Sequence, residues 1–313
     1  MKTILSLTVL ALMVVASAPA ASPAALAAQE ALVQTTPVEP LVEPEWLLEN
    51  LEGPGVVVLQ AGQRGFAEGH IPGARVLDLD GIAWDGDEGW RVEFREVDEI
   101  VEAFRSAGVD QTSRVVLYGP SMTTTARAWV TFDYLGLGDH AFVLNGGLQG
   151  WREAGGRVET GEAEAPPRGN LTAEDPVDFR VSAEWILERL EDPSLALLDA
   201  RPDDEYTGED GGMGGMARPG HIPGAAQLYW EELMTEENSF RFRNAEEIED
   251  ILRRHGAGPD KTNVSYCMIG LRASVDYMAA RMMGWDVRFY DGSWHDWGTR
   301  EDVPVVMGAD VPR

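Results

Sequence analysis

Residues 68 to 80 read EGHIPGARVLDLD, and residues 219 to 230 read PGHIPGAAQLYW. The shared string GHIPGA would be weak evidence alone, but two further correspondences follow it in the same order. RVVLYGP at 114 to 120 parallels NVSYCMI at 263 to 269, and FVLNGGLQGW at 142 to 151 parallels RFYDGSWHDW at 288 to 297. The step from Tyr118 to Gly136 equals the step from Tyr266 to Gly284. Ordered self-similarity marks a duplicated unit. The spacing predicts one copy at about residues 40–160, a linker at 161–176 rich in Pro, Gly and acid, and a second copy at about 177–310.

Inside each copy, short apolar runs alternate with amphipathic helices. GVVVLQ (55–60), RVVLY (114–118) and AFVL (141–144) read as buried strands, as do LALLD (195–199), NVSYC (263–267) and VRFYD (287–291). Val97, Ile100, Val101 and Phe104 repeat at helical spacing, and so do Ile248, Ile251 and Leu252 between Ala245 and Arg254. Strands alternating with helices imply an α/β fold, each copy a mainly parallel sheet flanked by helices. Ligands of such sheets sit at the carboxyl ends of strands.

The chain of 313 residues carries 53 acidic and 25 basic side chains, a formal net charge of −28. That balance argues against nucleic acid and against an anionic membrane surface as partners. At the amino terminus, Lys2 precedes the apolar run Ile4 to Val15 and the small-residue stretch ASAPAASPAALAAQE. This reads as an export signal within residues 1–28, cut between Ala18 and Ala28. No later segment is long and apolar enough to span a bilayer. The expectation is an exported protein, periplasmic in a Gram-negative source, with no membrane insertion after cleavage.

Cys267 is the sole cysteine, so it has no disulfide partner within its own chain. It follows the apolar strand and precedes a helix whose Val275, Met278, Ala279 and Met282 form one stripe. A helix N-terminus favours an anion, and hence a thiolate over a thiol. Gly270 lets the loop curl around that anion, and Arg272 adds a cation. Aligned through the tyrosines, the counterpart of Cys267 is Gly119, so thiol chemistry is confined to the second copy. Cysteine phosphatases use C-x5-R, one residue longer than the C-x4-R of Cys267 to Arg272, and that spacing disfavours phosphate.

With GHIPGA doubled, LLDAR at 197–201, CMIGLRAS at 267–274 and DGSWHDWG at 291–298, the chain resembles the tandem-domain rhodanese-type sulfurtransferases over about residues 40–310. The resemblance implies an amino-terminal domain without the catalytic cysteine and a second domain that carries it. It implies transfer of a sulfane sulfur from a small anionic donor, thiosulfate or a relative, to a thiophilic acceptor such as cyanide or a thiol. The route is a Cys267 persulfide, with no metal and no cofactor. Arg201 stands at the family's position for binding the donor anion, beside Arg272 and the loop residues Met268, Ile269 and Gly270, with Asp199 as a structural brace. Apolar Met268 and Ile269 depart from the cations of thiosulfate enzymes and from the small polar residues of mercaptopyruvate enzymes. A 3-mercaptopyruvate sulfurtransferase and a non-enzymatic persulfide carrier therefore remain alternatives. His70 and His221 read as structural turn residues, Trp297 as core, and Trp294 as core or pocket wall. The second copy also carries the Gly-rich insertion at 206–220, placed to flank the site.

Overall fold

The structure, a computed structural model, describes residues 37–85, 92–162, 165–173, 176–210 and 217–309. The expected export signal and the middle of the Gly-rich insertion lie outside the described residues, which belong to one compact unit. The first copy runs β1 (Leu41–Val42), α1 (Pro44–Asn50), β2 (Val56–Ala61), β3 (Arg75–Leu77), β4 (Ala83–Asp85), β5 (Val92–Phe94), α2 (Val97–Ser106), β6 (Arg114–Tyr118), α3 (Met122–Tyr134), β7 (Ala141–Leu144) and α4 (Gly147–Glu153). The second runs α5 (Ala183–Leu187), β8 (Leu195–Asp199), α6 (Asp203–Thr207), β9 (Ala226–Gln227), α7 (Ala245–Arg254), β10 (Thr262–Tyr266), α8 (Ala273–Met282), β11 (Val287–Phe289) and α9 (Ser293–Thr299).

The first sheet has order β1-β7-β6-β2-β3 and the second β11-β10-β8-β9, with every pairing parallel. Counterparts therefore occupy matching places. Strands β2, β6 and β8 are near-continuous apolar runs because helices cover both faces, leaving no solvent side to demand alternation, while β10 buries Asn263 and Ser265 among its apolar residues. Among the described residues the second copy has no separate edge strand equivalent to β1. A bridge between Arg180 and Phe289, with Val181 N–H donating to Phe289 O, takes that place.

The repeat is reproduced bond for bond in the turns. His70 Nδ1 lies 2.9 Å from Phe66 O with its ring stacked on Phe66, and His221 Nδ1 lies 2.9 Å from Tyr206 O with its ring stacked on Tyr206. Ile71 N–H donates to Tyr118 Oη and Ile222 N–H to Tyr266 Oη, both at 3.3 Å. Trp151 and Trp297 each donate their indole N–H to a backbone carbonyl six or seven residues on, Arg157 O and Pro304 O. Both histidines thus tie the GHIPGA turn to the preceding segment.

The copies are joined through α3 and α8, which pack on each other. Between them Asp133 accepts from Tyr277 Oη at 2.8 Å and from Arg281 Nε at 3.0 Å, all three residues being buried. Phe94 and Tyr134 of the first copy stack and meet Phe179 and Phe289 of the second, and Phe179 packs in turn on Tyr277, so one apolar core runs through both. The linker is no loose tether. Leu171 is buried, Arg105 Nε donates to Leu171 O, and Gly169 N–H donates to Arg105 O. A Cβ at Gly169 would fall 2.0 Å from Val109 O, so only glycine allows that approach.

Candidate active site

Tyr266 pairs with Asp199 at the last register position of β10 and β8. The next residues, Cys267 and Ala200, therefore leave the two central strands side by side at their carboxyl ends, with Ala200 N–H donating to Tyr266 O. The strand stops at Tyr266, one residue short of the sequence expectation, because the Cys267 backbone turns to other partners. Its N–H donates to Ser293 Oγ at 3.3 Å, and its carbonyl accepts from Trp294 N–H at 2.9 Å. His295 N–H donates likewise to Met268 O. The first turn of α9 is thus docked on the cysteine loop.

Cys267 is buried and unpaired. Gly270 N–H donates to its Sγ at 3.1 Å. That bond requires the loop to double back over three residues, which Gly270 achieves at φ +88°. A Cβ there would meet Arg127 Nη1 at 3.4 Å, while Ser274 Oγ–H ties the Gly270 carbonyl to α8. The sulfur therefore faces a backbone donor at the head of a ten-residue helix, an environment that stabilises negative sulfur.

The candidates divide once their partners are known. Arg201 departs from its expected role as an open donor-binding group. It is 1% exposed, its Nε and Nη2 donate to Asp199, Nη2 also donates to Gly220 O, and its guanidinium lies over Trp294 at 4.5 Å. A guanidinium sealed this way holds the strand end together. Asp199 is the other half of that brace, and Trp294 is core, with its indole N–H on Arg218 O. Met268 also departs from expectation, because its side chain is buried. Ile269 and Arg272 remain partly open. Arg272 is bound two-pronged to Glu205, Nη1 to Oε1 and Nη2 to Oε2, each at 2.8 Å. Burial opposes its charge, but Glu205 and then the negative sulfur of Cys267 hold its guanidinium above the usual arginine range.

Four contributors escaped the sequence reading. Glu205 pairs Arg272 across the fold, a tertiary relation with no local signature. Asp291 accepts from Arg127 Nη1 at 3.0 Å and Phe94 N–H at 2.8 Å, so the copy without a thiol holds the segment that carries Ser293. Ser293 sits at φ +52°, and its Oγ–H donates to Tyr290 O while its Oγ accepts from Cys267 N–H. A signal for Ser293 existed: its counterpart is Gly147, at φ +57°, a conformation suited to glycine but adopted by a serine only where the hydroxyl is needed. Asp276 is fully buried in α8. Burial, and then the negative Cys267, Asp199 and Glu232, push its carboxyl well above the usual range.

Comparison with protein families matches residues 43–154 and 182–300 each to the rhodanese-like domain. The sulfur carrier protein TtuD of Thermus thermophilus is 32% identical over 285 residues, covering 87% of this chain and 98% of that protein. A thiosulfate sulfurtransferase of Pseudomonas aeruginosa is 30% identical over 270 residues, covering 85% and 97%. Among solved structures, SseA from Escherichia coli, described with the rhodanese fold of 3-mercaptopyruvate sulfotransferases, superposes with a TM-score of 0.71 at 26% identity, covering 82% of this chain and 99% of that one. The chain belongs to the rhodanese family of sulfurtransferases, with two rhodanese domains in tandem.

Proposed function

We propose that the protein moves a sulfane sulfur from a small anionic donor to a thiophilic acceptor through a persulfide on Cys267. The observation that carries this reading is the 3.1 Å bond from Gly270 N–H to Cys267 Sγ at the head of α8. With thiosulfate, the Cys267 thiolate attacks the outer sulfur, the S–S bond of the donor breaks, and sulfite leaves with that bond's electron pair. The persulfide then carries its negative charge on the outer sulfur, within the same backbone cradle. With mercaptopyruvate, the C–S bond breaks instead and the thiol proton ends on the carbon of pyruvate. In the second half-reaction cyanide or a thiolate attacks the outer sulfur and Cys267 leaves as thiolate, so the kinetics are double displacement.

Incubation with thiosulfate or mercaptopyruvate is expected to add one sulfur atom to Cys267, read by mass spectrometry of the intact protein. Cys267→Ser is expected to lower sulfur transfer by at least about a thousandfold with the fold retained. Undiminished transfer by that variant would sink the mechanism. The kinship with a protein named as a sulfur carrier favours a second reading, delivery of the persulfide to a partner protein. Steady turnover with a small thiol acceptor separates the two, since a pure carrier stops after one sulfur.

A further inference from the structure

Among the described residues, the guanidiniums around the cysteine loop each face a carboxylate. Arg201 is held by Asp199, Arg127 by Asp291 and Arg272 by Glu205. The first two are sealed, at 1% and 0% side-chain exposure, whereas Arg272 keeps 22% and Glu205 keeps 16%. The Arg272–Glu205 pair is therefore the most open of the three, and Arg272 lies in the cysteine loop, five residues after Cys267. Tyr229 stands beside the pair; burial first, then Glu231 and Glu205, raise its phenol to about 12, with Arg272 acting against them. The chain carries −28 overall, so no long-range field draws an anion in, and salt damps such fields beyond about 8 Å.

We propose that Glu205 is a specificity-determining residue for the sulfur donor. By engaging both terminal nitrogens of Arg272, it withholds that cation from the donor and places a carboxylate beside the cysteine loop. A donor with two negative charges, such as thiosulfate, meets a site with little free positive charge. A donor carrying one charge or none, such as mercaptopyruvate or an organic persulfide, loses less by entering. The inference rests on the sulfurtransferase reading for its meaning, but its geometry is testable without turnover.

Cys267 is the only thiol in the chain, so alkylation reports on this site alone. Rates with anionic iodoacetate and neutral iodoacetamide are measured for wild type, Glu205→Gln and Glu205→Asp. Glu205→Gln removes the carboxylate charge at nearly constant shape, freeing Arg272. It is expected to raise the iodoacetate-to-iodoacetamide rate ratio about fivefold, as befits one partly exposed charge pair. Glu205→Asp keeps the charge and is expected to hold the ratio within about twofold of wild type. In parallel, Glu205→Gln is expected to improve kcat/KM for thiosulfate more than for mercaptopyruvate. An unchanged ratio in Glu205→Gln overturns the proposal, and so does a loosened loop that speeds both reagents equally. Failure of the sulfurtransferase reading has a different signature: no donor adds sulfur to Cys267 in the wild type, whatever the alkylation ratio.

Discussion

After β6 the first copy passes from Tyr118 into α3 at Met122, whereas after β10 the second passes from Tyr266 into α8 only at Ala273. In register, Gly270 to Arg272 correspond to Met122 to Thr124, so the first turn of α3 is an open loop in the second copy. The difference lies in how the free backbone N–H groups at a helix start are satisfied. In the first copy Ser121 Oγ accepts from Thr124 N–H, and Thr124 and Thr125 hydroxyls return to Ser121 O. A Cβ at Gly119 would lie 2.8 Å from Thr125 Oγ1 and 3.1 Å from Ala61 O, leaving no room for a side chain. In the second copy Arg272 at the N-cap makes no capping bond, and Gly270 N–H turns to sulfur. One scaffold closes its helix start with hydroxyls; the other leaves it for an anion. The central strands and the paired histidine and tyrosine bonds are shared by the two copies.

The first copy nonetheless acts on the second through α3, and the largest effect is expected there. Asp133 receives both Tyr277 and Arg281 in a buried site. Asp133→Ala removes the buried carboxylate from between Tyr277 and Arg281 and is expected to destabilise the protein by about 3–5 kcal/mol in urea unfolding. A loss below about 1 kcal/mol would mean that the copies are coupled by the aromatic core alone.

A smaller and sharper test exchanges the residues at a matched left-handed position that holds serine in one copy and glycine in the other, Ser293 and Gly147. Ser293→Gly removes the hydroxyl on Cys267 N–H and relieves the backbone. It is expected to lower kcat about tenfold, roughly one hydrogen bond's worth, with stability little changed. Gly147→Ser faces the reverse situation. At φ +57°, with Phe240 atoms 3.3 Å from the new Cβ, it is expected to lose about 1–2 kcal/mol of stability and no activity. If Ser293→Gly keeps full kcat, the serine is an accident of the duplication rather than a support for the thiol.

These contrasts also show what the sequence could carry. The duplicated α/β frame was legible because turn residues such as His70 and His221 act within their own segments and reappear in both copies. Cys267 was legible because a strand, a glycine and a helix stripe are local. The fate of the arginines was not. Arg201 stands by resemblance at a donor-binding position, yet its partner is Asp199, two residues back, reached by burial. Arg272 reaches Glu205 across the fold. A cation's local spacing does not say whether a carboxylate already occupies it; that depends on which helix packs over the strand end. Composition marks residues 161–176 as a linker but does not show that Leu171 and Gly169 pack on the first copy.

Asp276 gives the smallest effect and the only one with a pH signature. Its counterpart in α3 is Ala128, buried without a charge to place. Asp276 is buried with neither carboxylate oxygen hydrogen-bonded among the described residues, and burial followed by the negative Cys267, Asp199 and Glu232 raises its pKa well above the usual range. The folded protein therefore keeps a proton on Asp276 that the unfolded chain releases. Above the ordinary carboxylate range the folded state binds more protons than the unfolded one, so this group's contribution to stability falls as pH rises. Asp276→Asn holds the shape without the titration. Relative to wild type it is expected to gain on the order of 1 kcal/mol near neutral pH, the cost of one poorly satisfied buried group. That gain should shrink as pH falls toward the ordinary aspartate range. A difference that stays constant with pH would show that Asp276 carries its charge in the folded state, held by positive groups at the base of the loop, and the sulfur would then have a buried anion beneath it.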